Sequence, residues 1–359
     1  MAAGEAPLRV VIVAPTTEQI LGGQEVQAQL LLQSWQHDPA VHISYLPTNA
    51  RLLAWVERIP FLRTVVRFPL YLAKLIRKLR DADVVHVFSA AFSSFVIATI
   101  PAYCVSRILR KPVLINYHSP LATSHLGSSR LARTVLEEAD SIIVPSSYLV
   151  EVFQAFCIKA EPIPNVIDRN VFEYQLRKPL RPHLLCSRNL ESYCGIDIVV
   201  RAFGEIQKRF PEARLWLVGH GSQEASIRRL IASLDLKGVQ MVGRVGRENI
   251  GAFYSQADIL INASRADNMP LSILEAFAAG LPVVTTDAGG IPHLVKHEHT
   301  GLVSASEDWK QLARNTIRLL EDPALARCLS VNAYRQSLNY DWDVVREQWL
   351  RTYRALMRT

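Results

Sequence analysis

What this chain has little of narrows the field first. Its five cysteines (Cys104, Cys157, Cys186, Cys194, Cys328) among 359 residues are odd in number and form no Cys-x-x-Cys pair, which points to a reducing compartment and away from a zinc site. Charged residues make up only 20% against 49% hydrophobic, the balance of a globular protein rather than a disordered one. Residues 1–9 lack the basic start and long apolar run of a signal peptide, and Val10 to Val13 is too short to supply one, so a cytoplasmic location is expected. One uncharged stretch, Val84 to Ser106, is long enough to cross a bilayer. His86, Thr99, Pro101 and several serines interrupt it, and it reads as a buried strand, a loop and a buried helix. No nucleic-acid motif accompanies the net charge of +7, so nucleic acid is not an expected partner.

That charge is uneven. From Arg51 to Arg80 eight basic residues (Arg51, Arg58, Arg63, Arg67, Lys74, Arg77, Lys78, Arg80) face Glu57 alone, with apolar residues such as Phe68, Leu72, Leu75 and Ile76 between them. A basic, apolar helical stretch suits an anionic membrane surface, here the inner face of a membrane. A solvated helix face is the other reading.

The length suffices for two α/β domains. In the first half, strands are expected at Arg9–Ala14, Val41–Leu46, Asp83–Phe88, Pro112–Tyr117 and Ser141–Val144, with helices between them, the first at Gln24–Trp35. In the second, strands at Leu184–Ser187, Arg214–Val218, Gln240–Val242, Asp258–Asn262 and Pro282–Thr285 alternate with helices near 197–210, 222–234, 247–256, 271–280 and 307–320. This is a parallel, doubly wound pattern. Residues 173–183, with Pro179 and Pro182, read as a linker between domains at 1–172 and 184–340, followed by a closing helix within 341–359.

The most informative stretch is Ser264 to Thr286, S-R-A-D-N-M-P-L-S-I-L-E-A-F-A-A-G-L-P-V-V-T-T. Asp267 follows a strand, Pro270 suits the first helical position, and Glu275 falls in the second turn of the next helix, which Gly280-Leu281-Pro282 stops. Ligands of open α/β sheets bind at such strand ends, and the free amides of a helix start attract phosphate. A carboxylate one turn further in can accept hydrogen bonds from two ribose hydroxyls. The layout suits a nucleotide diphosphate.

Asp267 and Glu275, eight apart in this setting, resemble the acidic pair of the retaining glycosyltransferases of family 4. The resemblance implies a GT-B fold, two Rossmann-like doubly wound domains facing across a cleft, and a metal-independent transfer of sugar from a nucleotide-diphosphate sugar, a co-substrate rather than a cofactor. The implied acceptor is a glycan or a lipid-linked hydroxyl. It further implies that Gly22-Gly23 faces the donor phosphate, that His118 at the end of Val113–Tyr117 lies beside the donor sugar, and that Arg188 pairs with the diphosphate. Glu275 would hold ribose. Asp267 and the backbone of Asn268, Met269, Pro270 and Leu271 would hold the sugar, and Met241-Val242 would meet the base. The family's lysine before Gly-x-Asp is missing, since Cys194 precedes Gly195-Ile196-Asp197. A neutral thiol does not replace that cation. Two alternatives stay open: a sugar-nucleotide epimerase of the same fold, and a catalytically silent scaffold at a membrane, the latter motivated by Cys194 and the basic segment.

Two metal-like patterns are set aside. Asp81-Ala82-Asp83 precedes a strand instead of ending one, and His293, His297 and His299 lie in what reads as a surface turn.

Overall fold

The computed structural model of the protein describes residues 6–16, 22–49 and 60–358, with side chains from 67 onward in the last stretch. Arg51, Glu57 and Arg58 of the basic segment, and the Arg63 side chain, lie outside the described residues.

The chain divides into two compact units, Met1–Val166 with Asp343–Thr359, and Ile167–Trp342. The first holds strands β1 (Leu8–Ala14), β2 (Val41–Pro47), β3 (Val84–Ser89), β4 (Val113–Tyr117), β5 (Ser141–Val144) and the short β6 (Glu161–Pro162), in the order β2-β1-β3-β4-β5-β6. The second holds β7 (His183–Ser187), β8 (Arg214–Val218), β9 (Val239–Gly243), β10 (Ile259–Ile261), β11 (Val283–Thr286) and β12 (Leu302–Ser304), in the order β12-β11-β10-β7-β8-β9. Every pairing between these strands is parallel.

Near-continuous apolar strands mark a sheet covered on both faces. The second unit shows it residue by residue. Leu184, Cys186, Ile259, Ile261 and Val284 join one buried cluster with the helices Ile196–Arg209 and Trp309–Glu321. Their neighbours Leu185, Leu260 and Val283 join another with Tyr254 and the helix Leu271–Ala279. The alternation is the two-residue period of a strand, and it places one core on each face. In this sheet the strand order reverses between β7 and β10, the crevice where open α/β sheets bind ligands.

Val84–Ser106 forms β3, a π-helical turn at Phe95–Thr99 and the start of the helix Ile100–Ile108. Among the described residues no helix is long and apolar enough to cross a membrane. The short strands β6 and β12 and the helix Pro323–Ser337 are not in the sequence reading; β6 has only two residues and β12 three, too few to show a period.

The expected boundary at 172 and linker at 173–183 differ from the observed division. Ile167 and Phe172 are already in the second unit's core, so the division falls at Val166/Ile167. Residues 173–183 are strapped onto that unit by two arginines. Arg177 donates to the carbonyls of Tyr254 (2.7 Å), Ala257 (2.8 Å) and Ala279 (2.8 Å). Arg181 pairs with the buried Asp258 at 2.8 Å. The prolines signalled irregular backbone correctly; what they could not signal was the anchoring.

Candidate functional site

Arg188 is the first residue past β7 and Asp267 lies in the loop after β10, so the reversal of strand order brings them together. Their side chains form an ion pair of 2.5 Å, Arg188 Nη2 to Asp267 Oδ2, with both largely buried. Burial alone would lower the guanidinium's pKa, but Asp267 beside it and the neighbouring Cys194 raise it, so Arg188 is permanently cationic. Asp267 is fixed further by its own loop: Oδ1 accepts from the Asn268 amide at 2.8 Å and Oδ2 from the Ser264 hydroxyl at 3.1 Å. The loop in turn rests on Gly289-Gly290. A Cβ at either glycine would come within 2.2 Å of the Asp267 or Asn268 carbonyl oxygen, and Gly290 donates its amide to Asp267 at 2.9 Å.

The helix Leu271–Ala279 begins after this loop and ends on Gly280 in left-handed conformation. Pro270 is its N-cap, one place before the first helical position expected from sequence; its carbonyl accepts from Ile273 and Leu274. Glu275 lies in the second turn. Its Oε2 accepts from the Tyr254 hydroxyl at 2.7 Å and its Oε1 faces Arg247 Nη1 at 3.6 Å. Burial pushes its pKa up, while Arg247, Tyr254 and Arg188 pull it down. Arg188 Nε, Arg247 Nε and the Ser272 hydroxyl are buried with no hydrogen-bond partner. Native interiors rarely leave such groups unmet.

The other sequence candidates fall elsewhere. Met241 and Val242 are in β9, with Met241 packed against one core and Val242 against the other. Gly22, Gly23 and His118 belong to the first unit. Gly22 is the N-cap of the helix Gly23–Trp35 and has ordinary extended backbone. His118 follows β4, stacks on Phe88 at 5.2 Å, and has a pKa lowered to about 4 by burial; its Nε2 is buried without a partner. Asp83 of the D-x-D triplet is taken by Arg9, whose Nη2 is 2.8 Å from Oδ1. His297 Nδ1 accepts from the Val303 amide at 2.9 Å.

Three comparisons bear on this arrangement. The model for glycosyl transferases group 1 matches residues 169–336, and that for Glycosyltransferase Family 4 matches residues 9–171. The chain belongs to glycosyltransferase family 4. A glycogen synthase of Mycobacterium tuberculosis is 28% identical over 276 residues, 72% of this chain and 66% of that protein, so the chain matches just under two thirds of that relative's length. Among solved structures, sucrose-phosphate synthase from Thermosynechococcus elongatus superposes with a TM-score of 0.76 at 22% identity, covering 98% of this chain and 99% of that one. Anabaena HepE in complex with UDP-glucose gives 0.75 at 18% identity, covering 97% and 100%. These likenesses establish the GT-B fold, two parallel six-stranded α/β units.

In this family 4 chain, the position expected to hold a lysine is filled by a neutral group. The Cys194 thiol is buried, and burial pushes its pKa up. Arg188 Nη2 points at its sulfur from 3.6 Å. Asp197, two residues past Gly195, pairs with Arg265 through two contacts of 2.8 Å, and Arg265 also bonds Glu307 and the Ser192 carbonyl. This ties 192–197 to the Asp267 loop. Arg247 and Tyr254 were missed from sequence. No local signal gave them away, since the first turn of the helix Arg247–Gln256 carries Glu248 beside Arg247.

Proposed function

We propose that the protein is a retaining, metal-independent glycosyltransferase that moves a sugar from a nucleotide-diphosphate sugar to an acceptor hydroxyl. The observation carrying this is the buried Arg188–Asp267 pair beside Glu275 at the point where strand order reverses. Arg188 and the first amides of the helix Leu271–Ala279 would take the diphosphate as its bond to the anomeric carbon breaks. Glu275 would hold the ribose hydroxyls. Asp267, Asn268, Met269, Pro270 and Leu271 would hold the sugar, and Met241-Val242 the base. In the first unit, Gly22-Gly23 and the neutral His118 would serve the donor phosphate and the reacting sugar. The acceptor oxygen enters on the face the diphosphate leaves, which retains the anomeric configuration.

A lipid-linked or glycan acceptor reached from a membrane surface extends this reading. In the helix Pro60–Leu79, Tyr71, Leu75 and Leu79 are buried while Phe68, Leu70, Lys74, Ile76 and Arg77 are exposed, and Arg80 just beyond is exposed too. The helix packs on Ile100–Ile108, where Ile108 is 78% exposed. Apolar and basic groups thus share an outward face, as peripheral binding to anionic lipid requires. A second reading, a catalytically silent scaffold, rests on Cys194.

The test is a thermal-shift screen across nucleotide sugars, since a ligand of the folded state raises the melting temperature by mass action. The best donor then goes into a turnover assay with EDTA present, and product configuration is read by NMR. Donor-dependent stabilisation, turnover in EDTA and a retained anomer are expected. Failure of every nucleotide sugar to stabilise the protein would favour the scaffold. Donor consumed without acceptor would favour an epimerase.

A further inference from the structure

Glu275 is gripped from the neighbouring helix more closely than a ribose ligand requires. Tyr254 donates its hydroxyl to Oε2 at 2.7 Å, and Arg247 stands 3.6 Å from Oε1, so each carboxylate oxygen faces one group of the helix Arg247–Gln256. Phe172 backs both: the Arg247 guanidinium lies over its ring at 5.8 Å, and the Tyr254 ring meets it edge-on at 5.0 Å. The helix is pressed onto this backing, because a Cβ at Gly251 would come within 2.3 Å of the Val171 carbonyl oxygen. The far side is tied as well, the Tyr254 carbonyl accepting from Arg177 at 2.7 Å.

We propose that Arg247 and Tyr254, backed by Phe172, are positioning residues that hold Glu275 ionised and aimed, so that it accepts both hydroxyls of a ribose cis-diol. The proposal rests on the reading that Glu275 meets ribose. Two donors need two anionic oxygens, and a protonated carboxyl would present a donor of its own to one of them. Burial pushes Glu275 towards that protonated form. The charged and titratable groups facing it are Arg247 and Tyr254 from one helix and Arg188 from the end of β7, and all three favour the carboxylate. Arg247 gives the largest of these contributions, so its loss is the one that would most favour the protonated form of Glu275.

The test separates aim and charge from mere folding. Binding of UDP and 2′-deoxy-UDP (or the GDP or ADP pair, whichever binds) is measured by calorimetry at about pH 6 and about pH 9 for wild type, Arg247→Gln and Tyr254→Phe, with melting curves to verify folding. Wild type is expected to prefer the ribonucleotide at both pH values. Arg247→Gln should lose about tenfold in ribonucleotide affinity at the lower pH, recover at the higher one, and leave 2′-deoxy affinity within about twofold. Tyr254→Phe, which keeps the ring, should narrow the preference for ribose at both. Parallel losses for both nucleotides at both pH values would overturn the proposal while leaving the donor site standing. Wild type binding both nucleotides equally would remove Glu275 from the ribose and the proposal with it. Wild type binding no nucleotide at all would instead sink the glycosyltransferase reading.

Discussion

Each unit buries a polar cluster, a neutral one against the first sheet and a charged one beyond the strand ends of the second. In the first, Asn116 donates to Nε2 of the fully buried His86 at 3.2 Å, and His86 Nδ1 meets the Tyr353 hydroxyl at 2.8 Å. Trp349 packs at a tilt against the same imidazole, ring centroids 4.7 Å apart, so this cluster pins the helix Trp342–Leu356 onto β3 and β4. Its members answer one another and leave little for a ligand. In the second, Arg188, Asp267, Glu275 and Arg247 are buried ions, and the Nε of both arginines, like the Ser272 hydroxyl, has no partner. The same strand-and-helix layout serves as a lock in one unit and, in our reading, as a receptacle in the other. What separates these two clusters is charge and unspent hydrogen-bonding capacity, not topology; outside the His86 cluster the first unit has such capacity too, at His118 Nε2.

Four experiments press on that comparison. The largest effect is expected from Asp267→Ala, which strands the Arg188 charge. Breaking a buried pair from one side costs about 3–5 kcal/mol, so urea unfolding should show a loss of that order. Turnover should fall further than donor affinity. His86→Phe, which removes only neutral partners, should cost less; equal losses would erase the distinction between lock and receptacle.

Next comes Glu275→Ala, expected to weaken nucleotide binding ten- to a hundredfold through lost charge-assisted hydrogen bonds of ~1.5–3 kcal/mol. Wild-type affinity in titration calorimetry would show that the ligand lies elsewhere.

Acid should act first on the lock. Burial keeps the folded pKa of His86 at about 3, whereas an unfolded histidine takes its proton at about 6.5. Below that value the unfolded chain binds the extra proton, so stability falls with falling pH, by about 1.4 kcal/mol per pH unit from His86 alone. His118, lowered to about 4, adds in the same direction, less fully because part of it is open. Glu275 works oppositely: its raised pKa lets the folded form bind a proton first as pH enters the carboxylate range. Hydrogen exchange between about pH 6.5 and 4.5 should therefore show β3 and β4 losing protection before β10. Loss in β10 first would contradict this.

The smallest effect concerns the outer helix. Lys74→Glu with Arg77→Glu should reduce flotation with anionic liposomes, at ~1 kcal/mol per basic residue removed, and salt should do the same to wild type. Binding indifferent to both would leave a solvated helix face.

Much of this was legible in the chain. Periodicity found ten strands, and the spacing of Asp267 and Glu275 around a helix start put the first on a loop at a strand's carboxyl end and the second in the following helix, where the structure has them. That signal is local: a loop, a cap and one helical turn. Arg247 and Tyr254 were not legible, because their role depends on a helix twenty-odd residues upstream lying against Glu275, which only tertiary packing decides. How residues 173–183 are held was illegible for a related reason. Two prolines describe backbone, but the three carbonyls that hold Arg177 belong to distant elements. Cys194 was found as a departure from the family pattern, yet that Arg188 leans on its sulfur could not be read from either residue.

That strap limits how the molecule can be recombined. A chimera joined after residue 183 looks natural on sequence grounds, since it cuts where prolines gather. It would take the second unit from one parent and Arg177 from another, leaving the ends of two helices and the approach to β10 dependent on a foreign segment. Junctions at Val166/Ile167 and Trp342/Asp343 keep Phe172, Arg177 and Arg181 with the unit they hold together and leave the closing helix with the first unit, and these are the seams along which the parts can be exchanged.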